Sequence, residues 1–155
     1  VTIALHFAGG RWTMDFSGWP PEIAARMGEL LAGGALQIPP PVFVEMGGEI
    51  VAWDMAAKSL AVRFPVQARF QNPMGYMQGG MIAAAVDNVV GPLSFMVAPP
   101  SVTRSLTMEY LRPIPPSLAE FTVVARLVAA EVRRGPGTLL AKATLHNRIL
   151  RRFGG

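Results

Sequence analysis

Apolar positions change their spacing several times along the chain, and each change marks an element. From Pro20 to Leu31, Ile23, Met27, Leu30 and Leu31 recur at helical spacing, which predicts an amphipathic helix. Prolines are tolerated in its first turn, and Glu22 suits the positive end of its dipole. Gly33-Gly34 stops it, and Pro39-Pro40-Pro41 predicts a stiff connector. From Val42 to Val66 the spacing becomes strand-like. Two runs, Gly48–Asp54 and Ser59–Val66, flank a polar break at Lys58 and predict a hairpin. Gln67 to Gln78 is irregular, with Asn72-Pro73 and Gly75 as turn signals.

Gly79 to Val97 is long, rich in small residues and apolar nearly all round, which predicts a buried helix. Gly91-Pro92 is expected to kink or interrupt it. Val102 to Leu111 alternates, with Leu106, Met108 and Tyr110 on one face and Ser105, Thr107 and Glu109 on the other. Ala119 to Val132 predicts one long strand. Gly135-Pro136-Gly137 predicts a turn into a strand from Thr138 to His146. Beyond Arg148 only a short piece, Ile149 to Phe153, is expected, leaving a truncated sheet edge. The order is helix, two strands, buried helix, then three or four strands. That is an α+β domain in which an antiparallel sheet curves around one central helix. Residues 1–41 read as an extension with its own helix, and residues 42–155 as the domain.

Composition narrows the chemistry. The chain has 155 residues, 51% hydrophobic and 15% charged, the balance of a folded domain with apolar surface to be covered by another subunit. It has no cysteine, which removes disulfides, thiolate nucleophiles and cysteine metal sites and fits a cytoplasmic location. Two histidines, His6 and His146, leave little from which to build a zinc site or a serine–histidine triad. There is no stretch of about 18 uninterrupted apolar residues, and the first residues lack the basic flank of a signal peptide. The net charge is +4. Arginines gather late, at Arg133-Arg134, Arg148 and Arg151-Arg152. Without a nucleic-acid-binding motif, this excess points to a phosphorylated small molecule rather than to nucleic acid or a membrane.

The stretch from Asn72 to Asn88 carries the most chemistry. Gly79 and Gly80 open the apolar helix, where the first N–H groups lack intrahelical partners and carry partial positive charge. Such groups can hold an anion or a developing oxyanion. Asp87 is the only charged residue between Arg69 and Arg104. In an apolar helix an ionised carboxylate is costly unless paired, and desolvation raises its pKa toward that of a general base. Its structural reading is an ion pair with Arg104 or Arg69. Asp87 follows Gly79 by eight residues, about 12 Å along a helix. One reacting carbonyl cannot touch both, so a shared site draws them from two subunits.

This segment resembles the active-site signature of the PaaI-type hotdog thioesterases: an asparagine, a His-Gly-Gly turn six residues on, then an acidic residue on the helix. Asn72, Gln78-Gly79-Gly80 and Asp87 match that spacing, with glutamine replacing the usual histidine. The stretch from Val102-Thr103 to Tyr110-Leu111-Arg112-Pro113 resembles the family's strand after the central helix. The resemblance implies a hotdog fold and hydrolysis of an acyl-coenzyme A, with no cofactor beyond the coenzyme A of the substrate. It implies Asp87 as base or nucleophile, the Gly79 N–H as carbonyl donor, Asn72 as a holder of thioester or water, Gln78 as a shaper of the turn, and Thr103 beside the attacking water. Gly80 and Asn88 are expected at the substrate, and Arg112, Arg133 and Arg134 at the coenzyme A phosphates. The protein is expected as a homodimer or homotetramer. The alternatives are a hotdog module that binds acyl-coenzyme A without hydrolysing it, and an enoyl-coenzyme A hydratase of the same fold.

Overall fold

In chain order the elements are β1 (Leu5–Ala8), β2 (Arg11–Met14), α1 (Pro21–Ala32), α2 (Pro41–Glu45), β3 (Glu49–Asp54) and β4 (Ser59–Pro65), then α3 (Gly79–Val97), β5 (Ser101–Tyr110), β6 (Glu120–Arg126), β7 (Ala129–Arg134) and β8 (Thr138–Ile149). The structure is a computed structural model and describes residues 5–8, 11–14, 21–32, 37–54, 56–97, 101–126, 129–134 and 138–149. Six strands form one antiparallel sheet in the order β3-β4-β6-β7-β8-β5, and β1 pairs with β2 in a separate two-stranded sheet. α3 lies across β4, β5, β6 and β7.

Alternation decides which face of the sheet receives α3. Leu60, Val62 and Phe64 of β4 are buried and pair with Ala125, Val123 and Phe121 of β6, also buried. Against them α3 sets Ile82, Ala85, Val86, Val89 and Leu93. By length and apolarity α3 is long enough to cross a membrane, but here that apolar stripe is core. Phe43 of α2 meets Phe64 edge-on at 6.0 Å, and Phe64 stacks on Phe121 at 5.7 Å. Gly48 is fitted into this cluster: a Cβ there would lie 2.7 Å from the Phe43 ring and 2.9 Å from Phe64.

Several expectations need correction. Val42–Glu45 is helical, because Pro41 opens α2 at its first position, where a missing N–H costs nothing. The expected long strand from Ala119 to Val132 is two strands: Arg126 pairs with Ala129, so the chain doubles back. α3 runs unbroken through Pro92, with the Ser94 hydroxyl donating to the Gly91 carbonyl at 2.7 Å. The strand expected from Thr138 to His146 runs on to Ile149. β8 runs 12 residues and lies between β7 and β5, so among the described residues the edges are β3 and β5. The helix is also not buried all round, for Asp87 is exposed. The Gly135–Gly137 turn and residues 150–155 lie outside the described residues.

Candidate functional site

Asp87 meets Thr103. The Thr103 hydroxyl donates to Asp87 Oδ1 at 2.6 Å, while Arg69 pairs with Glu45 instead. Strict alternation would place Thr103 with Ser105 on the outer face of β5. The pairing with β8 shifts between Thr103 and Ser105, and the extra residue, Arg104, restarts the alternation. Thr103 and Ser101 therefore turn toward α3, where the Ser101 hydroxyl lies 3.3 Å from that of Ser94. The signal was present in the sequence. Arg104 has the parity of Leu106 and Met108, and without a bulge its charge would face the core.

Asp87 and Asn88 stand at one end of an apolar cavity of about 320 Å³ between α3, α1, α2 and the β3–β4 hairpin. Asn88 is buried, and its amide donates to the Ala84 carbonyl at 2.9 Å. Thus Asp87 and Asn88 line this cavity, and Thr103 is joined to it through Asp87.

A second group gathers at the start of α3. The Asn72 Oδ1 accepts the N–H of Met74 at 2.9 Å and of Tyr76 at 3.1 Å, closing a tight turn in which Gly75 has a positive φ of 81°. The Gln78 N–H donates to the Phe70 carbonyl at 2.8 Å, and its own carbonyl accepts from Met81 and Ile82, so its backbone starts the helix. Its side chain, like Gly80, is exposed. The Tyr110 hydroxyl donates to the Gly79 carbonyl at 2.9 Å, and burial raises its pKa above 10.0. Asn72, Gly79, Tyr110 and Arg112 line one open groove of about 390 Å³. Tyr110 was not singled out beforehand, although it ends the inward row of Leu106 and Met108.

Tyr110 pairs with Ala141, and Ala141 with Val132, so Arg133 stands at the same end of the sheet as Gly79 and Arg112. It pairs with Thr122, between buried Phe121 and Val123, and so lies on the face away from α3. The side chain of Arg134 lies outside the described residues. Within one chain Asp87 and Gly79 stay eight residues apart on α3, about 12 Å.

An antiparallel sheet with one long central helix matches the solved hotdog structures this chain resembles. The fold is a hotdog. The PaaI protein of the phenylacetic acid degradation operon of Escherichia coli superposes with a TM-score of 0.68 at 14% identity, over 85% of this chain and 96% of that one. A phenylacetic acid degradation-related protein of Ralstonia eutropha gives 0.64 at 28% identity, over 79% and 98%. A thioesterase of Haemophilus influenzae gives 0.61 at 18%, over 70% and 82%. The hotdog neighbours are thus PaaI-type thioesterases at low sequence identity, which supports a thioesterase-type function. No protein-family model and no curated protein matches the sequence.

Proposed function

We propose that the protein hydrolyses an acyl-coenzyme A to a free acid and coenzyme A as a homodimer with composite sites. The observation that carries this reading is the Thr103–Asp87 hydrogen bond at the mouth of an apolar cavity. Thr103 fixes Oδ1 and leaves Oδ2 to take a proton from water. The oxygen of that water bonds to the thioester carbonyl carbon, the C–S bond breaks, and the departing thiolate takes up the proton that Asp87 had accepted, which restores the carboxylate. The carbonyl oxygen, as it gains charge, needs donors, and the N–H groups at the start of a helix supply them.

Those donors come from the partner. β5 is an edge strand with Val102 and Tyr110 exposed. Thr103, which meets Asp87, is near its start, and Tyr110, which meets Gly79, is at its end. Antiparallel pairing of two β5 edges about a two-fold axis sets the start of one against the end of the other. Asp87 of one subunit then faces Gly79 and Asn72 of its partner. Gln78 holds the turn through its backbone, and shaping that turn is the role proposed for it. Arg112, which lines the groove beside Gly79, suits the coenzyme A phosphates, with Arg133 and Arg134 proposed as more distant positive charges at that end of the sheet.

The test is a thiol-release assay with butyryl-, decanoyl-, palmitoyl- and phenylacetyl-coenzyme A. Wild type should release thiol from at least one of them. Asp87→Asn should lower the rate by about 10²–10⁴-fold while binding persists. Binding by wild type without release of thiol would establish the non-catalytic module instead.

A further inference from the structure

The cavity beside Asp87 has a direction. Its α3 wall is made by Asp87 and Asn88, then Gly91 and Pro92, then Phe95 and Met96. These pairs are four residues apart and form one stripe. The stripe rises about 14 Å from Asp87 to Met96. At its far end the Arg26 guanidinium donates to the Phe95 carbonyl at 3.4 Å and holds α1 there. Met27 of α1 and Ile38 of the connector close the outer side. Among the described residues the polar lining is Asp87, Asn88 and Gln37.

Gly91 keeps the stripe open. Gly91 lines the cavity, and apart from its chain neighbours and the backbone of its own helix a Cβ there would meet nothing within 4 Å. Glycine is the poorest helix former after proline, and this one stands mid-helix directly before Pro92. The lack of a Cβ eases the helical conformation before Pro92, and it also leaves the cavity wall open at this position. The cavity, about 320 Å³, is roughly twice the ~150 Å³ void that admits benzene. That leaves room for about twelve carbons.

Resting on the hydrolase reading above, we infer that this cavity takes the acyl chain of the thioester. The chain runs from Asp87 over Gly91 toward Met27, and Gly91 admits a medium-chain acyl group of about eight to twelve carbons. A butyryl group ends before Gly91 and is indifferent to it. Each further methylene buried contributes about a fourfold factor in binding.

The experiment compares kcat/KM for butyryl- and decanoyl-coenzyme A in wild type, Gly91→Ala and Gly91→Leu. Wild type should prefer decanoyl. Gly91→Leu should lower the decanoyl-to-butyryl ratio by about tenfold or more, with Gly91→Ala in between. Circular dichroism checks folding. Should Gly91→Leu not fold, Met27→Trp at the far end replaces it and should move the optimum to shorter chains. An unchanged ratio in a folded variant overturns the inference. If wild type releases no thiol, the hydrolase reading fails separately, and calorimetric binding of the same two esters decides. Loss of decanoyl preference in Gly91→Leu supports the cavity assignment, and equal preference in both proteins overturns it.

Discussion

At Thr103 one hydroxyl decides how the Asp87 carboxylate is turned. A hydrogen bond to a charged group matters more than a neutral one. Thr103→Val should therefore lower kcat by roughly tenfold with little change in KM, and Thr103→Ser should recover most of it; a rate unchanged in Thr103→Val would remove the residue from the mechanism. Tyr110 gives a second measurement. Partial desolvation favours its neutral form and raises its pKa above 10.0. The hydrogen bond to Gly79 is then intact at lower pH and is lost as pH rises through that raised value. In Tyr76→Phe, which leaves Tyr110 as the only tyrosine, phenolate absorbance should show a midpoint above 10.0. Asp87 and the double glycine were legible in the sequence because charge and glycine are conspicuous in an apolar helix. Gly91 was legible only as a helix breaker, since nothing in its neighbours says that the space beside it is empty.

The elements with strong periodicity, α1, the β3–β4 hairpin, α3 and β5, were readable from spacing alone. Those that failed did so where a local device overrode the spacing. Pro41 turned strand-like Val42–Glu45 into α2, and the return between β6 and β7 hides inside a run rich in valine and alanine. β1 and β2 were missed although Gly9-Gly10, between paired Ala8 and Arg11, is a two-residue hairpin signal. The packing of α2 on β4 makes its own prediction. A methyl group on residue 48 would press on two aromatic rings, so Gly48→Ala should destabilise by about 1–3 kcal/mol, read from the urea midpoint at constant m. Phe64→Ala, which empties the centre of the same cluster, should cost about 3–5 kcal/mol.

For the whole molecule, the composite site predicts that two inactive proteins rescue each other. Asp87→Asn and Gly79→Val, mixed and allowed to exchange subunits, should regain about a quarter of wild-type activity, because half the dimers carry one intact site of two. No recovery after proven exchange would place both halves of the site within one chain. The central place of β8 also bears on how the protein is made. Among the described residues β5 pairs in its sheet only with β8, and Ser101 pairs with Ile149, across a sequence separation of 48 residues. The strand that carries Thr103 thus emerges from the ribosome long before anything can hold it. Its hydrogen-bonding groups stay open on both sides until β8 arrives to sew the sheet together. The same strand edge that a second subunit would use is, in the nascent chain, a hazard of premature pairing between neighbouring chains on one message.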